Sequence, residues 1–307
     1  MVLPKPWVSN IRRRNTAANP LRLALTRPVA QRSLRLLRLP EGQRGTRVVR
    51  LRFLPILFAA VALLLQTATA AAQDVAIAAA SDLKFALDDI VAGFKVLHPG
   101  AVVAVTYGSS GKFLTQIQQG APFDLYFSAD IAYPRQLVAA GLAGSAVKPY
   151  AIGRLAVWST TLDASKMTLQ SLSDPKISRI AIANPKHAPY GKRAREALVA
   201  AGLWTQLEPK IVMGESIAHA AQFVQSGAAQ VGILAASLAG NPQLAKQGGY
   251  WLIPAHLHSP LEQGLVLTRR GAAKPLAKAF AEHMDLPATR ALLVKHGFGL
   301  PAPVPAN

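Results

Sequence analysis

No cysteine occurs anywhere in the 307 residues. That single absence removes disulfides, thiolate metal sites and cysteine nucleophiles together. Acidic residues are scarce: 15 Asp and Glu stand against 34 Lys and Arg, a formal charge of +19. A deficit of this kind can mark a nucleic-acid or membrane partner, but its distribution argues otherwise. Residues 1–52 hold Lys5 and twelve arginines against Glu41 alone, a local +12 that leaves +7 for the rest. No nucleic-acid partner is therefore expected. Long apolar runs are missing as well. The strongest, Phe53 to Leu65, spans 13 residues, whereas a membrane-crossing helix needs roughly 20. The histidines, at 98, 187, 219, 256, 258, 283 and 296, are scattered and lack carboxylates at ligand spacing, so no bound metal ion and no cofactor are expected.

What is present begins with an export signal. Residues 53–72 read FLPILFAAVALLLQTATAAA, preceded by Arg47, Arg50 and Arg52. A basic flank, an apolar centre and a small-residue end describe a cleavable secretory signal peptide. It is placed at 51–73, with cleavage expected near Ala72 or Gln73 and a periplasmic product. With no cysteine after it, a lipoprotein anchor is not expected. Residues 1–50 form a basic extension that such a signal does not need, which suggests a start codon set too far upstream.

From Asp74 onward strand-like and helix-like runs alternate, the pattern of an α/β protein with largely parallel sheets. Val75–Ala80 is continuously apolar, as a strand covered on both faces should be. Leu83, Leu87, Ile90, Val91 and Phe94 fall on one helical face. Further strands are expected at 101–107, 124–128, 155–159, 179–183, 210–213, 231–234, 250–253 and 264–268. Helices are expected near 113–117, 133–140, 169–173, 193–201, 217–225, 276–284 and 289–296. Asp88, Asp89 and Asp163 read as ordinary solvated surface.

Two strand-to-helix junctions end in serine. VAIAAAS stops at Ser81, and AVVAVTYGSSG carries Ser109 and Ser110 before KFLTQIQQG. A serine at a helix start can cap free N–H groups, or it can turn its hydroxyl with those N–H groups toward an anion, since the helix N-terminus is partly positive. Two such turns from neighbouring parallel strands would converge at one end of a sheet. Asp82 is also a competent cap. The second segment is neither a P-loop, because Phe113 follows Gly111-Lys112, nor a nucleophile elbow, because Lys112 stands where the last glycine belongs. Tyr190, in the loop NPKHAPYG, and Ile217, after Gly214-Glu215-Ser216, sit at two more helix starts. Ser216 is the expected cap of the second, leaving the Ile217 amide free.

At these segments the chain resembles the periplasmic molybdate-binding proteins, the substrate receptors of molybdate ABC transporters. AAASDLKFALDDIVAGF, YGSSGKFLTQIQQGAPFDLYFSAD, RIAIANPKHAPYGKRAREAL and QVGIL follow that family's pattern in order, over essentially all of Asp74–Gly299. The resemblance implies a two-lobed periplasmic binding protein fold, each lobe a mostly parallel sheet flanked by helices, joined by two crossings. Residues 74–152 with 257–307 would form lobe 1 and residues 153–256 lobe 2. It implies molybdate, and tungstate with it, bound through Ser81, Ser110, Tyr190 and the Ile217 backbone, with the Asp82 amide as a further contact. The Asp82 carboxylate would repel the anion. Many relatives carry a tyrosine after the QVGIL strand; here Ala235 stands there, and the Tyr190 hydroxyl is expected to substitute.

The expected partners are an inner-membrane ABC permease with its cytoplasmic ATPase, served by a monomeric carrier that is not an enzyme. Two readings stand against it. One is a receptor for sulfate or another tetrahedral oxyanion. The other is an exported hydrolase using Ser81 or Ser110, for which no general base is apparent in the sequence.

Overall fold

The computed structural model describes residues 74–245 and 248–302. The expected signal peptide, the basic extension and the last five residues lie outside them. Ten strands form two five-stranded sheets. In chain order they are β1 (Asp74–Ala80), β2 (Val102–Gly108), β3 (Leu125–Ser128), β4 (Lys148–Gly153), β5 (Leu155–Trp158), β6 (Ile180–Ala183), β7 (Ile211–Gly214), β8 (Val231–Ala235), β9 (Tyr250–Leu252) and β10 (Leu261–Leu267). Helices of eight residues or more are α1 (Lys84–Leu97), α2 (Ser110–Gln118), α3 (Ala132–Ala139), α4 (Pro189–Ala200), α5 (Ile217–Gln225), α6 (Pro275–His283) and α7 (Pro287–Lys295).

The first sheet runs β2-β1-β3-β10-β4 and the second β7-β6-β8-β5-β9. In each, three neighbours pair in parallel and one strand, β10 or β5, pairs antiparallel on both sides. Four of five strands therefore share a direction. The two reversed strands are the ones entered directly after the chain passes from one sheet to the other. Those crossings lie between Gly153 and Leu155 and between Leu252 and Leu261.

Period-two alternation explains the layers of the first lobe. Ile77 and Ala79 face α1 and α6, packing with Leu83, Leu87, Phe94, Phe127 and Phe280, while Ala78 and Tyr126 face Phe113, Leu114 and Ile117 of α2. Each fully buried side chain of this size contributes about 1.5–3 kcal/mol, and the α1 stripe alone supplies several. The second lobe is built around Trp158, Ile180, Ile182, Ile233, Leu198 and Tyr190.

Two strands depart from the sequence reading for physical reasons. β2 is apolar in sequence yet alternates in exposure, with Val102 60% exposed, because it is a sheet edge. β4, unread in the sequence, contains Pro149. An edge strand tolerates proline because its outward side needs no ladder donor. Helix α4 begins at Pro189 rather than Arg193. Tyr190 therefore sits inside its first turn.

Candidate functional site

Four turns meet where the two sheets end. In the first lobe β1 and β2 are parallel neighbours, with Ala80 level with Gly108, so the residues that follow, Ser81 and Ser109-Ser110, emerge side by side. In the second lobe β6 and β7 are parallel neighbours, with Ala183 level with Gly214. The turn after β6 leads to Tyr190 and that after β7 leads to Ile217. Carboxyl ends of parallel strands are where α/β sheets take ligands. Ser81, Asp82, Ser110, Tyr190 and Ile217 all line one small cavity, with Ser109, Ala188 and Ala129 beside them. Its volume is about 10 Å³, room for the centre of a single water-sized sphere. No lysine, arginine or histidine lines it.

Both site serines act as acceptors toward the protein. Ser81 opens a short 3₁₀ turn, Ser81–Leu83, and caps no helix by its side chain. Its Oγ instead accepts from the Ala218 amide of the opposite lobe at 3.2 Å. Ser110 Oγ accepts from the Ala129 amide at 3.0 Å. A hydroxyl holds one donor and two acceptor positions, so each keeps its proton for another partner. Ser216 caps α5 as expected, accepting from the His219 amide at 3.3 Å. The Ile217 amide stands at the first position of that helix, where intrahelical partners are lacking.

Beneath the cavity lies a polar cluster that the sequence reading missed. Gln263, fully buried in β10, donates through Nε2 to Asp82 Oδ2 at 2.6 Å and to the Tyr190 hydroxyl at 3.2 Å. Its Oε1 accepts from the Tyr150 hydroxyl at 2.7 Å. Burial pushes the Asp82 carboxyl up to about 6, with hydrogen bonds from Gln263 and Tyr190 partly opposing the rise. Burial also drives the Tyr190 and Tyr150 hydroxyls well above the ordinary phenol range, Asp82 adding to both. The Tyr190 hydroxyl is thus engaged inside the protein by Gln263 and Asp82. Ala235 is buried at the end of β8 and pairs with Leu155. The signal for Gln263 was present in LEQGLVL: a fully buried amide next to the half-buried Glu262 in a strand whose other residues are buried and apolar or glycine.

The lobes are in contact around this cavity. Gly111 N–H donates to the His187 carbonyl at 2.9 Å, and Ser109 Oγ donates to the same carbonyl at 2.6 Å. A Cβ on Gly111 would sit 2.6 Å from that oxygen, so the glycine serves the approach of the opposite lobe. Lys112 pairs with Glu215 across the rim. Arg193 of α4, 7% exposed, binds Asp130 of the first lobe at 3.1 Å and Glu196 at 2.8 Å. Ser237 Oγ donates to the Asp82 carbonyl at 2.8 Å. A larger cavity, about 630 Å³, is lined by α1, residues of the segment 236–243 and the end of α7. Its charged lining is mixed, with Asp88 and Asp89 facing Arg154, Lys295 and His296. Among the described residues no three His, Asp or Glu converge as a metal site.

Residues 75–299 match the family model described as bacterial extracellular solute-binding protein. The molybdate-binding protein ModA of Rhodobacter capsulatus is 38% identical over 205 residues, 65% of this chain and 78% of that protein. The ModA of Azotobacter vinelandii is 34% identical over 233 residues, 75% of this chain and 92% of that one. The chain belongs to this family of solute-binding proteins. The solved periplasmic molybdate-binding protein of Azotobacter vinelandii superposes with a TM-score of 0.70 at 31% identity, covering 74% of this chain and 99% of that one. As a member the chain is the substrate-capturing component of an ABC importer. The family's two-lobed architecture agrees with the two sheets and two crossings described above.

Proposed function

We propose that this protein is exported, captures molybdate, and tungstate with it, and delivers the anion to an inner-membrane ABC permease driven by its cytoplasmic ATPase. The observation that carries the reading is a cavity lined by Ser81, Ser110, Tyr190 and Ile217, residues at strand-to-helix turns of both lobes, with no cationic side chain in its wall. A buried dianion ordinarily demands neutralisation. Charge-assisted hydrogen bonds of roughly 1.5–3 kcal/mol each, summed over several donors, meet that demand with helix N-termini adding field. Ser81, Ser110, the Tyr190 amide and the Ile217 amide are the donors in this reading. They bond to the oxygens of the anion, and no residue ligates the metal atom. These hydroxyl and amide donors favour a fully ionised anion, because a proton on the anion meets no acceptor among them.

In this reading residues 74–152 with 257–307 move as one body against 153–256. Anion binding shifts the open–closed equilibrium, and the permease reads the closed form. The protein acts as a monomeric carrier and catalyses no reaction. Titration calorimetry of the purified protein against molybdate, tungstate, sulfate and phosphate tests the assignment. Tight heats for molybdate and tungstate with none for phosphate are expected. Sulfate displacing molybdate at equal concentration would make the protein a sulfate receptor, and turnover of an ester substrate abolished by Ser110→Ala would make it a hydrolase.

A further inference from the structure

The anion cavity contains one group that does not suit an anion. Asp82 lines it, is 1% exposed, and its Oδ1 has no hydrogen-bond partner among the described residues. Its hydrogen bonds come from neutral donors alone: Gln263 Nε2 to Oδ2 at 2.6 Å, the Tyr190 hydroxyl and nearby backbone amides. No cation answers it from any packed element. Helix α4 presents Tyr190, and β4 presents Tyr150 behind Gln263. On α1, Lys84 is turned to Asp88 at 2.9 Å. On α5 the titratable group is His219, whose Nδ1 accepts from the Glu215 amide. The short helix Ala236–Ala239 offers Ser237, bonded to the Asp82 backbone. On β10, Glu262 alternates to the face opposite Gln263.

Resting on the molybdate reading above, we propose that Asp82 is a proton-coupled member of the anion site: a dianion is admitted with uptake of one proton by this carboxyl, which then donates its O–H to an anion oxygen. A solvent proton forms the new O–H bond on Asp82, and no bond in the anion breaks. The chemistry follows from the surroundings. An unpaired buried carboxylate beside a dianion is a like-charge pair in a low-dielectric site. The protonated acid is instead one more donor among donors. Burial has already brought the carboxyl up to about 6, and a neighbouring dianion raises it further. Below that value the acid is neutral before the ligand arrives. Above it, each ligand must bring a proton in.

Calorimetry on the full chain at several pH values from 5.5 to 8.5, in pairs of buffers with different ionisation enthalpies, counts the protons directly. At pH 8 the expected count is close to one proton taken up per molybdate, and the dissociation constant rises about tenfold per pH unit above 7 by linkage. Asp82→Asn supplies an N–H donor without a proton, so its binding should be flat with pH and its buffer dependence absent. Molybdate bound by the wild type with no proton uptake at pH 8 overturns the inference and leaves the molybdate reading standing. Proton uptake that persists in Asp82→Asn removes Asp82 as the acceptor. No molybdate heat at any pH removes the site and the inference together. The wild-type buffer comparison decides the matter even if the variant fails to fold.

Discussion

The Ser81 hydroxyl accepts a hydrogen bond from the Ala218 backbone amide in the first turn of α5, 3.2 Å away and in the other lobe. A side chain at the end of one sheet thereby completes a helix terminus that belongs to the second sheet. In the reading proposed above, closing the lobes also assembles the site. The hydroxyl that ties the lobes together retains its own proton for a guest.

The serines therefore differ in what their removal costs. Ser110→Ala deletes one donor to the anion and should weaken molybdate binding by about 1.5–3 kcal/mol, roughly 10- to 150-fold. Ser81→Ala also strands the Ala218 amide in the closed form, so its loss should be the larger. Titration calorimetry on both variants checks the order. Equal, near-zero effects would take both residues out of the site.

The Arg193–Asp130 pair should control closure. Removing one partner of a buried pair typically costs about 3–5 kcal/mol. Glu196 still holds Arg193 Nη1 at 2.8 Å, so Asp130→Ala should fall below that range. Its effect should appear as weaker binding and, in small-angle scattering with ligand, a larger radius of gyration than wild type. Unchanged scattering and affinity would show that the pair is incidental to closure.

Gly153 ends β4 at the first crossing, and a Cβ placed there would lie 2.2 Å from the Tyr190 hydroxyl and 2.9 Å from Gln263 Nε2. Gly153→Ala should therefore disturb the cluster beneath the cavity and cost about 1–3 kcal/mol by overpacking. Adding Tyr190→Phe removes the nearest clashing atom. The double variant should be more stable than additivity allows, by 0.5 kcal/mol or so at least, in a thermal-unfolding cycle.

Asp82 should also make the ligand-free protein less stable as pH rises. A carboxyl raised from 3.8 to about 6 on folding binds more protons folded than unfolded between those values. Stability is then highest below pH 4 on this group's account and falls through pH 6, by about 3 kcal/mol in total. Asp82→Asn should remove that slope. The difference in unfolding free energy between variant and wild type should grow from pH 4 to 7 and then level off. A constant difference would contradict the raised carboxyl.

Much of the frame was legible because local periodicity and punctuation are written along the chain. The apolar run Val75–Ala80 has the pattern of a doubly covered strand, and the stripe from Leu83 to Phe94 that of one buried helix face. Ser81, Ser110 and Ile217 stand at helix starts whichever fold surrounds them. Tyr190 was placed at its helix start although the helix bound lay four residues earlier than periodicity suggested. β4 stayed hidden because Pro149 reads as a breaker unless the strand is known to be an edge.

What tertiary structure alone decided is which groups answer one another across the lobes. Gln263 lies 181 residues from Asp82, and Arg193 lies 63 from Asp130. No local pattern encodes partners so distant, because their pairing follows from strand order and from where the two crossings bring the sheets together. Residue spacing along the chain determined which donors stand at helix starts. Only the fold determined that they face one cavity, and that a carboxyl without a counter-charge is buried among them.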